Sequence, residues 1–220
     1  EFATEEIRPV AREADATGSF PEDVWDGLAD LDLTGLAVPA EYGGYDADRL
    51  TYALVNEAVA TGSLAVATAL SVHCLAASCI ATFAGEDRKE RWLPDMAAGR
   101  PVGAFALSEP GAGSNPAEMG TVARREGDEY VIDGEKGWIT NGQRAGVCVV
   151  FAKTDPDDPG SITQFLVPTD ADGLTVGRTE EKLGLRASDT TELRFDGVRV
   201  PAANRLTEEG RGLAAALRVL

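Results

Sequence analysis

Two short stretches of this chain hold residue types that can grip a ligand. Phe105 to Ser114 reads FALSEPGAGS, and the segment around Trp138 reads GEKGWITNG. In the first, an apolar strand-like run passes into a turn where Gly111 and Gly113 let backbone N–H groups approach a ligand closely, beside the hydroxyls of Ser108 and Ser114. That is the chemistry of an anion cradle. In the second, Trp138 precedes Thr140 by two residues, so an extended strand would present both side chains to one face. An indole there could stack on a flat ring while the hydroxyl meets its polar edge.

A stacking face, hydroxyls for a ring edge and a Gly-lined cradle for a pyrophosphate together describe a flavin dinucleotide site. Taken singly, a glycine-rich turn is more often only a turn, and a strand Trp more often core. The two stretches, in this order and spacing, resemble the middle domain of the acyl-CoA dehydrogenases, where a SEPGAGS-like stretch is followed by WITNG. The resemblance runs over essentially the whole chain. It implies an α+β multidomain fold: an N-terminal α-helical domain (1–100), a flavin-binding β-barrel or sandwich middle domain (101–203) and the first helix of a C-terminal helical bundle (204–220).

It also implies an activity, the oxidation of an acyl-CoA thioester across its α and β carbons with FAD accepting the hydride. Electron-transfer flavoprotein or a similar acceptor, and a homotetramer at full length, come with it. By the family's pattern Phe105, Leu107 and Ser108 line the flavin, with the Ser108 hydroxyl at the ring edge. Gly113 and Ser114 reach the pyrophosphate or the acyl-CoA, which makes Ser114 a substrate contact as well. Trp138 and Ile139 flank the isoalloxazine, and Thr140 bonds near its N5. Ser108 stands where many members have Thr, and Asn115 where Asp is common. The family's base, a glutamate of the bundle, is expected beyond Leu220, so no catalytic residue is assigned within the chain. Glu109 is the tempting substitute, but as the neighbour of Ser108 on an extended chain it should point away from the ring. Two rivals are a flavin oxidase or monooxygenase on the same scaffold and a non-catalytic acyl-CoA-binding module, which would have no use for Trp138 and Thr140.

Composition narrows the classes further. Twenty basic residues against 37 acidic ones give a net charge of −17, which disfavours nucleic acid because the phosphate backbone would be repelled. Lysine occurs only at Lys89, Lys136, Lys153 and Lys182; with so much acid and so much arginine, a salt-adapted or GC-rich source is the hypothesis. Cys74, Cys79 and Cys148 lie in apolar surroundings and cannot all pair, so a reduced, cytoplasmic protein is expected. No second ligand pair accompanies His73, Cys74 and Cys79, so no metal is expected. Arg88, Lys89, Arg91 and Arg100, or Arg178, Lys182 and Arg186, are read as solvated charges before phosphate contacts.

The elements that must position the two stretches follow from pattern. Helices are expected up to Gly18, from an N-cap at Ser19 through Leu31, and from an N-cap at Asp46 to Thr61 with Leu50, Leu54, Val55 and Ala58 inward. The run Leu64–Ala84 is long enough to raise a membrane span, but its Ala, Thr and Ser content reads as a buried helix. His73 on it reads as a satisfied core or site-lining histidine before a general base. A short helix ends near Gly99. After Pro101 eight short strands are expected, with Asp133-Gly134 and Asn141-Gly142 as hairpin turns. The last residues return to helix, with Leu213, Leu217 and Leu220 on one side.

Overall fold

In a computed structural model of the chain, which describes residues 1–220, helices fill the first part and a single sheet the second. A π-helical turn at Ala3–Ile7 runs into α1 (Arg8–Thr17), which Gly18 ends in the left-handed conformation. Next come α2 (Glu22–Asp30), α3 (Arg49–Gly62), α4 (Leu64–Phe83) and α5 (Glu86–Ala97).

Three local expectations are corrected here. Pro21, not Ser19, precedes α2, whose first turn carries Glu22 and Asp23 toward the positive end of the helix dipole. Asp48, not Asp46, caps α3, accepting the Thr51 N–H at 2.7 Å, while Asp46 sits at φ 49°. The face of α3 is also rotated. Leu50 and Leu54 are 69% and 56% exposed, Ala58 is exposed, and Tyr52, Val55 and Val59 turn inward. Because α3 is apolar nearly all round, both stripes satisfy helical periodicity and only packing chooses between them.

α4 is long and apolar enough, by composition, to cross a membrane. In this fold it is the packed core helix, with contacts to α3, α5 and the first strand and eleven buried residues. Cys74, Cys79 and Cys148 are all free and buried.

The sheet has seven strands: β1 (Val102–Ala106), β2 (Val122–Glu126), β3 (Glu129–Thr140), β4 (Ala145–Lys153), β5 (Ile162–Pro168), β6 (Leu174–Thr179) and β7 (Thr190–Pro201). It is a curled mixed sheet in the order β1-β4-β2-β3-β7-β6, with β5 paired to β4. β1 runs parallel to β4, and β2 meets β4 in parallel only at Val122 and Lys153. Seven strands replace the expected eight because β3 is continuous through Asp133-Gly134. The register there shifts because the facing strand β7 carries an extra residue at Asp196-Gly197, with Gly197 at φ 62°. Gly134 sits at φ 148°, where a Cβ would lie 2.5 Å from the Thr121 hydroxyl. Asn141-Gly142 links β3 to β4, which do not pair with each other, so it is not a hairpin either. The true two-residue hairpin is Gly127-Asp128, closed by Glu126 opposite Glu129, with Arg199 holding both carboxylates at 2.8 and 3.2 Å.

β4 shows how the sheet joins the helices. Val147, Val149 and Phe151 face a core shared with α4, α5 and α6 (Gly212–Val219), while Cys148, Val150 and Ala152 face the core on the other side. α6 buries Gly212, Ala215 and Ala216; Leu217 and Leu220 are 70% and 69% exposed.

Two contacts fix the helices onto the sheet. Gly103 of β1 passes so close to α4 that a Cβ there would lie 2.8 Å from the Ala76 Cβ and 2.9 Å from the Met96 methyl. Its N–H donates to His73 Nδ1 at 3.0 Å, leaving Nε2 3.1 Å from the Met96 carbonyl. His73 is fully buried, edge-on to Trp25 at 5.3 Å. Both ring nitrogens are committed to backbone, so His73 is a core tie between α4, α5 and β1.

Candidate functional site

β1 delivers Phe105, half-buried with its ring 4.9 Å from that of Phe151, and the chain then leaves the sheet at Leu107 and Ser108. Residues Glu109 and Ala112 close a tight turn by exchanging two backbone hydrogen bonds at 3.0 Å. One backbone hydrogen bond stitches the turn to β3: the Gly137 N–H donates to the Ser108 carbonyl at 3.0 Å. Pro110 packs over Gly137, 3.5 Å from where its Cβ would be. The two stretches singled out in the sequence therefore meet, with Ser108 bonded to the residue before Trp138.

The indole is aimed by a bulge. Between Lys136 and Ile139 the β3 register against β7 slips, three steps of β3 opposing two of β7. Trp138 sits in that slip at φ 57°, a conformation that costs a non-glycine residue about 1–2 kcal/mol. Its side chain is 54% exposed. The plain strand alternation invoked for Trp138 and Thr140 is thus replaced by a bulged backbone that re-aims one side chain. Ile139 is buried in the second core, which leaves only its backbone to face a ligand, and Thr140 is half-buried opposite Thr190.

Gly113 and Ser114 lie exposed on the turn, and no hydrogen bond ties them to Trp138. The amides of Gly111, Gly113 and Ser114 have no partner within the chain, and nothing stands within 4 Å of the Cβ positions of either glycine. These are the open donors that a phosphate would need.

Beneath the turn lies a pair that sequence reasoning missed. Lys136 is fully buried, its Nζ 2.8 Å from Glu109 Oε1 and 3.2 Å from the Leu107 carbonyl. Glu109 also accepts the Gly120 and Thr121 amides and the Thr121 hydroxyl. Burial alone would raise the Glu109 carboxyl, but Lys136, Thr121 and Gly120 outweigh it and hold it below the usual carboxylate range. Burial likewise pulls Lys136 down to about 8 against the pull of Glu109. Glu109 is a fixed counter-ion, unsuited to collecting a proton from a substrate. Nothing in the spacing of one Lys and one Glu on separate stretches announces such a pair.

A cavity of about 540 Å³ opens between α3, α4 and α6, its walls including Tyr52, Ser71, Leu75, Ser78, Thr82 and Val219. Val219 packs on the same core cluster as Phe105 and Leu107, although neither of those two lines the cavity. Among the basic residues, Arg100 is held by Glu22 and Asp26, Arg178 by Glu180, and Lys182 by the Ser188 carbonyl and Thr190 hydroxyl.

The acyl-CoA dehydrogenase N-terminal domain matches residues 1–100, and the acyl-CoA dehydrogenase middle domain matches residues 104–198. The chain belongs to the acyl-CoA dehydrogenase family. A probable acyl-CoA dehydrogenase, YngJ of Bacillus subtilis, is 41% identical over 224 residues, covering 100% of this chain and 59% of that protein. The solved butyryl-CoA dehydrogenase of Megasphaera elsdenii superposes with a TM-score of 0.94 at 36% identity, over 99% of this chain and 58% of its own. A glutaryl-CoA dehydrogenase of Mycobacterium smegmatis, solved with FADH2, gives 0.91 at 36% identity, over 99% and 55%. This acyl-CoA dehydrogenase family chain thus spans under three fifths of the length of each.

Proposed function

We propose that this chain supplies the helical and flavin-binding domains of an FAD-dependent acyl-CoA dehydrogenase, which removes hydrogen from the α and β carbons of an acyl-CoA thioester. The observation that supports the reading is the Gly137–Ser108 hydrogen bond, which brings the segment with the outward indole and Thr140 against the one with Ser108 and the three free amides. Those residues fit the cofactor the family relationship implies. Trp138 would cover a face of the isoalloxazine, Ser108 and Thr140 would bond its edge, and the Gly111, Gly113 and Ser114 amides would meet a phosphate. Phe105 and Leu107 would form its apolar floor. FAD, when bound, accepts the hydride that leaves the β carbon.

The remaining work falls to the protein. A thioester α proton is weakly acidic in water, so the site must exclude solvent and hold the acyl chain still. The cavity between α3, α4 and α6, walled in part by Leu75 and Val219, would serve that purpose. Removing the proton takes a carboxylate free to collect it. Glu109, engaged by Lys136, Thr121 and Gly120, is not free, which supports a base beyond Leu220. An electron-transfer flavoprotein-like acceptor, a homotetramer and a cytoplasmic location complete the proposal.

The test is to purify the full-length protein, record its flavin absorbance and add acyl-CoAs of graded length without oxygen. Bleaching by at least one of them is expected. A full-length protein that carries no flavin, or whose flavin no acyl-CoA bleaches, removes the reading; oxygen uptake on re-aeration would instead mark an oxidase.

A further inference from the structure

The cavity between α3, α4 and α6 does not end at Tyr52. A second, shallower cavity of about 400 Å³ begins on the other side of that residue, between α3 and α4, and shares both Tyr52 and Ser71 with the first. On α4 the two linings form one stripe: Leu64, Thr68 and Ser71 border the second cavity, and Ser71, Leu75, Ser78 and Thr82 the first. Steps of three and four residues keep this stripe on a single helix face, ~27 Å long at 1.5 Å per residue. The two cavities are therefore one groove along α4, interrupted at one level.

What interrupts it is a side-chain pair. Tyr52 reaches across from α3, and its hydroxyl lies 3.2 Å from Ser71 Oγ and 3.5 Å from the Ser71 carbonyl. The hydroxyls satisfy one another, so neither is left unpaired where the barrier closes. Beyond it the groove stays hospitable to hydrocarbon. Thr68 turns its hydroxyl back to the Leu64 carbonyl at 2.8 Å and presents its methyl outward, next to Val72 and Ala67.

We infer that Tyr52 and Ser71 are the partition that sets how long an acyl chain this protein accepts. The inference rests on the acyl-CoA reading above. An acyl chain lying in the groove from its α6 end fills the first chamber and stops against the Tyr52 ring, and a longer one must displace it. Each methylene denied a place in an apolar pocket is worth roughly a tenfold or larger factor in specificity, so a single ring can separate neighbouring chain lengths.

The experiment uses the full-length holoenzyme and reads kcat/KM for butyryl-, octanoyl- and dodecanoyl-CoA, with flavin content measured for every variant. Tyr52→Ala, and Tyr52→Leu as a milder variant that keeps the apolar contact between α3 and α4, should raise the dodecanoyl-to-butyryl ratio by about tenfold or more. Adding Thr68→Phe, which refills the second chamber, should cancel that gain. An unshifted ratio in both Tyr52 variants at normal flavin content overturns the partition, as does a gain that survives Thr68→Phe. If no acyl-CoA bleaches the unmutated protein, the functional reading falls and the partition with it; bleaching with an unchanged length profile sinks the partition alone.

Discussion

Lys136 Nζ lies 2.8 Å from Glu109 Oε1, with the lysine side chain wholly out of solvent, and this pair fastens the glycine-rich turn to the strand that carries Trp138. Removing one partner strands a buried charge, at a cost of about 3–5 kcal/mol. Glu109→Gln and Lys136→Met should each lower stability by that order, while the double variant should lose less than the sum. Urea unfolding of the four proteins checks it. Strict additivity would mean that the two groups do not act as a pair.

Trp138 holds a backbone conformation that glycine adopts freely and tryptophan does not, and over half of its side chain is exposed. Trp138→Gly should leave the fold as stable or more stable by about 1 kcal/mol, since it relieves left-handed strain and forfeits little burial. The same change should weaken flavin retention by about tenfold or more, the worth of a stacked aromatic face. Flavin content and the thermal midpoint of the flavin-free protein are the measurements. A variant that keeps its flavin, or one that unfolds without it, contradicts a ligand-facing indole.

Residue pattern made the division into helical and sheet halves legible, along with the two stretches that meet at Ser108 and Gly137. Continuous apolar strands such as β4 announce themselves because both faces are covered. The inward face of α3 was not legible, because Leu50 and Leu54 form as good a stripe as Tyr52, Val55 and Val59, and only the tertiary neighbours discriminate. The unbroken run of β3 through Asp133-Gly134 and the bulge at Trp138 were hidden for a related reason: Asp-Gly suits a hairpin as well as a strand that faces a bulge, and positive φ at a tryptophan has no sequence signal. The Glu109–Lys136 pair depends on two segments meeting in space, which spacing along the chain does not encode.

His73 links acid to unfolding. Complete burial, aided by the nearby charges of Arg144 and Arg100 and only partly offset by backbone bonding, lowers its pKa from 6.5 to about 4. Between those values the unfolded chain binds the proton that the folded chain refuses, so stability is full above pH 6.5 and falls as pH drops toward 4. The loss from this group alone is on the order of 3 kcal/mol. His73→Gln, which cannot titrate, should flatten that part of the stability profile. Urea midpoints measured at intervals from neutral pH down to 4 decide it; parallel profiles for the two proteins would show that the imidazole has no part in acid unfolding.

Arg144 closes the joint between the helices and the sheet. Its guanidinium lies 3.7 Å from the centroid of Phe20 and 4.8 Å from that of Trp25, while Nε and Nη2 each reach a Glu22 oxygen at 2.7 Å. Its side chain is only 7% exposed, although Glu22 is 47% exposed, so solvent screens part of the ion pair and the stacking carries more of the energy. Lysine keeps the charge but has neither the planar face for the rings nor the fork for the carboxylate. Arg144→Ala should therefore cost about 2–3 kcal/mol, the sum of a desolvated cation–π contact and a partly screened bidentate pair, and Arg144→Lys should recover less than half of it. Glu22→Gln, which leaves the stacking intact, should cost less than Arg144→Ala. If lysine restores the full stability, charge alone holds the joint and the stacking argument is wrong.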